Sequence, residues 1–446
     1  MLEMPATLDA VVKDLASVGS KAFLVGGAVI DAIQGREVKD WDVEVCGIRL
    51  DALIDILKRH GNANYVGKCF GVVKLYAADH EYDFNLPRRE TKTGQGHKDF
   101  EMEFDPALTP IEAAERRDLT INSMFYDLST GILNDPFGGL DDLNHGVLRH
   151  TSEKFREDPL RVLRIMQLLP RKGKTVAPET VALCRSMIEE HRYLPKERLL
   201  EEWVKLLMKA QRPSLGLNFL VDCGWIVHYP ELEVLQTTMQ KPDWHPEGSV
   251  WNHLMLVMDN AAALREYVPE EWRRGYMFGM LLHDVGKAVT TTFDLKSPGH
   301  DIAGVPISKN FMDRLTDEVE LNGQVARIVQ YHMQPNDFAK GKAKESAWKR
   351  LHNRVRLDVM AYVSKADGLG KLGRSVDDRH DPSRLALQYF EMFGENPIPP
   401  VLMGRHLIAR GYIPGPRIGE ILRRAYDLQI EQGIQNADEL LLLATK

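Results

Sequence analysis

Two acidic residues stand two apart in Lys39-Asp40-Trp41-Asp42. On a strand, residues i and i+2 project to the same face, so Asp40 and Asp42 would stand side by side. Carboxylates a few ångströms apart repel unless a cation neutralises them. Hard oxygen ligands of this kind suit Mg²⁺, which shares its shell with substrate phosphates. Asp83, in Glu81-Tyr82-Asp83-Phe84, falls on a later predicted strand and would supply a third carboxylate. Two metal ions about 3.5–4 Å apart can clamp an in-line phosphoryl displacement, one activating an attacking hydroxyl and the other holding a triphosphate. Gly26 and Gly27, at the end of an earlier strand, would let the backbone approach that triphosphate closely. Taken alone, the D-x-D reads equally as a solvated strand face, and the Gly-Gly as a tight turn.

Arginines follow in two groups. Glu115-Arg116-Arg117-Asp118 packs two guanidiniums beside acids, with Asn122 close behind. Arginine is the usual bidentate phosphate ligand, and the alternative is a helix salt-bridge cluster. Further on, Asp158-Pro159 opens a predicted helix with Pro159 in its first turn. Asp158, Arg161 and Arg164 are three apart and would form one ridge. An acid and a fork-shaped donor on one ridge suit the Watson–Crick edge of a base; the alternative is a surface ion-pair ladder. From Lys154 through Arg212 there are 14 Lys and Arg against 8 Asp and Glu, a net +6. Such a stretch would meet an RNA backbone with salt-dependent affinity, or is chance clustering on helix faces.

A second constellation combines imidazole with carboxylate. His283-Asp284 ends the apolar run Phe278-Gly279-Met280-Leu281-Leu282, His253 precedes it in another apolar segment, and Asp367 follows. This set suits a transition metal such as Mn²⁺, Ni²⁺, Zn²⁺ or Fe, which can generate hydroxide near neutral pH and polarise a phosphoryl oxygen. Each histidine alone reads as readily as a core or surface residue. His300 and His332 would extend the site to two metals. Asp301, His380 and Asp381, from the two other His-Asp pairs, read as structural or linker residues. The His/His-Asp/Asp pattern resembles that of HD-type phosphohydrolases.

The elements that must position these groups change character along the chain. Residues 21–85 mix strands and helices: Lys21-Ala22-Phe23-Leu24-Val25 as a strand, a helix from Asp31, the alternating Trp41–Cys46 segment as a strand, and an amphipathic helix closed by Gly61. Two more strands cover Gly71–Ala78 and Glu81–Pro87. Residues 86–110 read as a long mobile loop and 371–399 as a linker. From about residue 151 helical periodicity dominates. The reading is α+β: a mixed head followed by helices.

At 446 residues, with 44% hydrophobic and 27% charged residues, the composition is that of a globular chain of about three domains. The net charge of −7 excludes a uniformly basic coat, so nucleic-acid contacts must be local. No apolar run reaches the roughly 18 residues of a membrane span, and the amino terminus has no secretory pattern. Cys46, Cys69, Cys184 and Cys223 are scattered without a CxxC pair, which fits reduced thiols and a cytoplasmic protein with no membrane and no obligate protein partner.

The segments LVGGAVID…KDWDVEV, YDFNLPRRE, ERRDLTINSMFYD, NDPFGGLDDL and GVLRHTSEKFREDPLRVLR, in that order, resemble the class II tRNA nucleotidyltransferases, the group of CCA-adding enzymes and bacterial poly(A) polymerases. The resemblance covers about residues 20–170. It implies a polymerase-β-like head (1–150), a helical neck with a nucleotide-templating helix (151–245), an HD domain (246–370) and a linker with a helical tail (371–446). It further implies Mg²⁺ on Asp40 and Asp42, Gly27 and Arg117 on the phosphates or sugar, Asp158 and Arg161 templating the incoming base, and Arg164 nearby. The activity it implies is addition of CMP and AMP from CTP and ATP to tRNA 3′ ends. The alternatives are poly(A) polymerase, a CC-only or A-only enzyme, a metal phosphohydrolase whose head only binds RNA or nucleotide, or an RNA-binding module without catalysis. Two positions depart from the pattern. Ile30 stands where the family has an arginine after GGxV, and Gln167 replaces a third arginine on the templating helix. Arg88 and Arg89 are candidate substitutes for the lost phosphate contact.

Overall fold

The protein was analysed as a computed structural model describing residues 3–66, 71–92, 100–105, 107–372 and 381–446, with the backbone alone for 88–92 and 100–103. Cys69 and His380 lie outside the described residues, as do the side chains of Arg88 and Arg89. The chain forms two compact units: Met1–Leu206 with Leu215–His228, and Leu207–Ser214 with Tyr229–Lys446.

Among the described residues the first unit has eleven strands: β1 (Lys21–Val25), β2 (Trp41–Cys46), β3 (Asn62–Val66), β4 (Val72–Tyr76), β5 (Glu81–Asn85), β6 (Arg88–Lys92), β7 (Phe100–Phe104), β8 (Phe125–Asp127), β9 (Ile132–Asn134), and the short parallel pair β10 (Val147–Leu148) and β11 (Thr175–Val176). Seven of them form one sheet in the order β3-β4-β5-β2-β1-β8-β9, parallel only between β2 and β5. Strand β2 shows why. Trp41, Val43 and Val45 are buried on one face while Asp42 and Glu44 alternate onto the other, the signature of a sheet with one covered face. The helix Ala6–Ser17 packs on β1 through Leu8, Val11, Val12 and Leu15, at helical spacing.

Several boundaries differ from expectation. The helix after β1 spans Gly27–Ile33, so it starts directly at the Gly-Gly rather than at Asp31. The next helix ends at Leu57, not Gly61. Residues 86–110 are not a loop throughout. Strands β6 and β7 pair antiparallel, Arg88 opposite Phe104 through Lys92 opposite Phe100, and Thr109 with Glu112 forms a capping box for the helix Pro110–Glu115. The charged β-ladder lacks the apolar alternation that marks a strand in sequence, which is why it reads as loop. Strands β3, β8 and β9 are short and partly exposed, and they too escape the pattern.

The second unit is helical. The helices Val250–Leu264, Glu270–Leu282, His300–Asp313, Val319–Tyr331 and Leu357–Leu369 pack on one another. Gly275 and Gly279, one turn apart, permit a close approach of the Glu270–Leu282 and Val319–Tyr331 helices. A Cβ would fall 2.3 Å from Gln324 Oε1 at the first and 2.6 Å from Ile328 Cγ2 at the second. The expected linker at 371–399 instead contains the helix Pro382–Phe393, with Asp381 as its N-cap accepting from the Ser383 N–H, consistent with a structural role for Asp381. Leu402, Leu407, Ile418, Ile421, Ala425, Leu440 and Ala444 form a separate small core near the carboxyl end.

Candidate functional site

The parallel register places Asp42 of β2 directly opposite Asp83 of β5. Asp40 sits just before β2 rather than on it, and still lies close enough to act on Asp42. Burial is the largest influence on Asp42; with Asp83 and Asp40 adding repulsion, its carboxyl is pushed up to about 6. Lys74, opposite Asp83 on β4, forms an ion pair with it at 3.0 Å. The three predicted carboxylates therefore gather at the β2–β5 strand pair, under a repulsion that a divalent cation would relieve.

Gly26 precedes the Gly27–Ile33 helix with φ 70°, a left-handed conformation that favours glycine. A Cβ there would stand 3.6 Å from Asp42 Oδ2, so the backbone turn passes right beside the carboxylate. At Gly27 a Cβ would meet nothing within 4 Å.

Gly26, Gly27, Ile30 and Asp42 open onto a cleft of about 570 Å³ that Arg117, Asp158, Arg161 and Arg164 also line. The site residues expected in the head and on the following helix, Asp40 and Asp83 apart, thus share one cleft. Each arginine is held. Arg117 pairs with Glu44 at 3.1 Å, and Glu44 is two residues along β2 from Asp42 on the same face. Arg164 donates to buried Asp118 at 2.7 Å. Arg161 donates to the carbonyls of Lys154 and Arg116 at 2.8 and 2.6 Å. Asp158 accepts from Arg198 at 2.8 Å and from the Leu160 N–H at 3.0 Å.

The ridge expectation needs one correction. The helix begins at Leu160 with Pro159 as its N-cap, so Asp158 precedes it in extended backbone and caps it. The basic stretch is partly neutralised, since Lys154, Arg156, Arg164, Lys172, Arg198 and Lys205 all have carboxylate partners. Glu153 and Glu202 pair at a local spacing of three, whereas Glu115, Asp118, Asp31 and Asp158 come from distant segments and cannot be read from local spacing.

In the second unit, all six candidate ligands meet in a buried cluster. Asp284 lies at its centre. Asp284 Oδ2 is 3.3 Å from His283 Nε2 and 3.8 Å from His253 Nε2, and Asp284 Oδ1 is 3.3 Å from His300 Nε2 and 3.7 Å from His332 Nε2. Asp367 Oδ1 is 3.0 Å from His253 Nε2 and 3.9 Å from His283 Nε2. Two adjoining sets of possible ligands result, His253, His283 and Asp367, and Asp284, His300 and His332, with Asp284 also facing the first.

The ring orientations fit metal ligation. The Nδ1 atoms of His283, His300 and His332 each face a backbone carbonyl, of Met280, Ser297 and Val329, at 2.7–2.8 Å. A carbonyl only accepts, so Nδ1 carries the proton and Nε2 presents its lone pair inward. His283 Nε2 is buried and makes no satisfactory hydrogen bond. His300 Nε2 and His332 Nε2 face each other at 3.1 Å, two lone pairs that require a cation or proton between them. Burial pushes His332 down to about 3, which disfavours a proton on that ring.

Residues not foreseen from the sequence complete the site. Glu247 Oε1 lies 3.0 Å from His253 Nδ1 and 2.7 Å from His245 Nδ1. Burial opposes its ionisation, but the bonds from His253 and His245 hold its carboxyl down at about 2. Such a carboxylate–histidine contact orients a metal ligand and raises its basicity. Lys287 lies 2.7 Å from Asp284 Oδ2, the oxygen that also faces His283 and His253, and Lys371 holds the remaining oxygen of Asp367 at 2.8 Å, at helical spacings of three and four that were visible in the sequence. Asp301 takes no part and sits in the first turn of the His300–Asp313 helix.

These two sites, on an α+β head and a helical unit, define a nucleotidyltransferase fold joined to an HD-type domain. Residues 22–149 match the family model of the poly A polymerase head domain, 174–235 that of the "Probable RNA and SrmB- binding site of polymerase A", and 250–370 the HD domain. The multifunctional CCA protein of Acidovorax sp. (strain JS42) is 35% identical over 421 residues, covering 90% of this chain and 94% of its own. That of Alkalilimnicola ehrlichii is 34% identical over 365 residues, covering 79% and 85%. The chain belongs to this CCA protein family. Its fold is also that of the Bacillus stearothermophilus CCA-adding enzyme in complex with CTP, with TM-score 0.66 at 17% identity over 99% of this chain and 98% of that one. The Thermotoga maritima CCA-adding enzyme complexed with tRNA superposes with TM-score 0.60 at 19% identity over 99% and 96%. Among the described residues no helix is long and apolar enough to cross a membrane.

Proposed function

We propose that this chain adds CMP and AMP from CTP and ATP to the 3′ end of tRNA. The observation that carries the reading is the gathering of Asp40, Asp42 and Asp83 at the edge of the cleft that Asp158 and Arg161 line, in a member of the CCA protein family. The terminal ribose hydroxyl attacks the α-phosphate and pyrophosphate leaves. Mg²⁺ held by Asp40 and Asp42, with Asp83, supplies activation of that hydroxyl and charge neutralisation of the triphosphate. The Gly26 turn lets the phosphates come close beside Asp42, and Arg117, braced by Glu44, donates to phosphate or sugar.

Base choice follows from chemistry that cytosine and adenine share. Each presents an amino donor next to a ring-nitrogen acceptor on its Watson–Crick edge. A carboxylate beside a guanidinium matches both and leaves polar groups unpaired against uracil or guanine. The bonds that Asp158 and Arg161 make to the protein fix this pair in place, and Arg164 supports it through Asp118. In this reading the head occupies residues 1–150, the neck 151–245, the HD domain 246–370 and the tail 371–446.

The buried cluster of His253, His283, Asp284, Asp367, His300 and His332 supports a second activity, hydrolysis of a phosphoester. A transition metal in the set supplies Lewis acidity toward a phosphoryl oxygen. The chain's contribution is a pre-oriented array of ring nitrogens, with Lys287 and Lys371 lining a cleft of about 500 Å³ beside it.

The experiment is to incubate the protein with tRNA lacking its 3′ end and labelled CTP or ATP, separately and together, and read product lengths. Completion to CCA is expected. Long A tails on generic RNA would make it a poly(A) polymerase, addition of C alone or A alone a partial enzyme, and no incorporation a head that only binds.

A further inference from the structure

Two positions depart from the family pattern: Ile30 in the head cleft, and Gln167 on the helix whose Arg161, Arg164 and Arg171 line that cleft. Ile30 is 1% exposed and lines the cleft with a side chain that can bond nothing. Gln167 is 3% exposed on the Leu160–Lys172 helix, and its amide oxygen accepts from Arg171 Nη1 at 2.6 Å. Arg171, one turn further on, is exposed and lines the same cleft.

Arg161 in this cleft is held by two backbone carbonyls, and most of the other basic side chains are paired with acids. Arg117, Arg164, Lys172, Arg198 and Lys205 each lie 2.7–3.2 Å from a carboxylate. Arg171 has no carboxylate at ion-pair distance among the described residues. Its partner is a neutral amide, and Glu202 reaches it only through the longer-range field. A carboxylate at position 167 would orient the guanidinium equally well and cancel its charge. An amide orients it and leaves the charge for a ligand.

We propose that Arg171, positioned by Gln167, is a phosphate-binding subsite of this cleft, supplying to it a charge that Ile30 lacks. The ligand is a phosphate group, carried either by the triphosphate of the incoming nucleotide or by the backbone of the RNA end. The inference rests on the reading of the cleft as a nucleotidyl-transfer site.

The test is steady-state kinetics of the full chain with tRNA lacking its 3′ end, varying CTP, ATP and tRNA in turn. Arg171→Ala should raise one KM by about tenfold or more, the loss expected of a charge-assisted hydrogen bond, with kcat changed much less. A rise in the nucleotide KM assigns the triphosphate. A rise in the tRNA KM, with a salt dependence reduced by about one phosphate contact, assigns the RNA backbone. Gln167→Glu should raise the same KM by pairing with Arg171, and Arg171→Lys should recover part of the loss. A merely structural Gln167 would not produce that pattern. If Arg171→Ala, which changes an exposed side chain, leaves both KM values within about twofold of wild type, or lowers kcat alone, the subsite is refuted. A wild-type chain that incorporates nothing would instead refute the reading of the cleft.

Discussion

Asp42 and Asp83 face each other across the one parallel strand pair in the sheet, and Lys74 meets Asp83 from the next strand at 3.0 Å. Lys74 thus pairs with one acid of the two, while the other is half-buried beside two like charges. Burial, with the repulsion of Asp83 and Asp40 added to it, raises the Asp42 carboxyl to about 6 against an ordinary 3.8, and Lys74 offsets only part of that rise.

The raised value predicts a pH-dependent stability. Below about pH 4 Asp42 is protonated in both the folded and unfolded chain and contributes nothing. Between about pH 4 and 6 the unfolded chain loses the proton while the folded chain keeps it, so stability falls as pH rises, and above about 6 the full cost is present. Asp42→Asn should therefore be more stable than wild type at pH 7.5 without divalent ions, by on the order of 2 kcal/mol, and equal to it near pH 3.5. Mg²⁺ should raise the wild-type midpoint and leave the variant's unmoved. A gap that stays constant between these two pH values would contradict the assignment.

Activity should respond differently from stability at the same residue. Asp42→Ala should reduce nucleotide incorporation by roughly 10²–10³-fold or more while tRNA affinity changes little, because the carboxylate serves the charge that develops in the transition state. Filter binding beside a labelled-CTP assay separates the two. Near-normal turnover would remove Asp42 from the machinery.

Base selection should depend on Asp158 and Arg161. Alanine at either position should lower the preference for CTP and ATP over UTP and GTP by about tenfold or more. Arg161→Ala should also cost about 1–3 kcal/mol of stability, since the Lys154 and Arg116 carbonyls lose their donor. Variants that lose rate yet keep full base preference would show these residues to be structural.

The sequence made legible the parts of the fold that obey a simple period. The alternation of β2 put Asp42 and Glu44 on one face, and the spacing of Arg161 and Arg164 put both in the cleft. What escaped it depends on pairing between distant segments. The opposition of Asp42 and Asp83 needs the β2–β5 register, and the partners of Arg164 and Asp158 lie 46 and 40 residues away. The β6–β7 pairing was invisible because the sequence Arg88–Lys92 has no apolar alternation to mark a strand. In the helical unit the ligands were readable as residue types on separate helices, but Glu247 was not, because a glutamate between Pro246 and Gly248 carries no local mark of a partner six residues on.

The two sites should be separable, since they lie in different units and offer different ligand chemistry. Replacing His283 and Asp284 together by alanine should abolish hydrolysis of a phosphoester such as a 2′,3′-cyclic phosphate and leave CTP and ATP incorporation unchanged. Hydrolysis by wild type should be stimulated more by Mn²⁺, Ni²⁺, Co²⁺ or Zn²⁺ than by Mg²⁺. Asp284 faces both histidine pairs, so His300→Ala with His332→Ala should lower the bound metal from two ions to one per chain, measured by elemental analysis after dialysis. Glu247→Gln keeps the shape but removes the charge behind His253, and should weaken metal affinity by about 10–100-fold without changing ion count at saturation. One ion per chain in wild type would reduce the cluster to a single-metal site. A folded double-alanine variant that still hydrolyses would place the chemistry elsewhere.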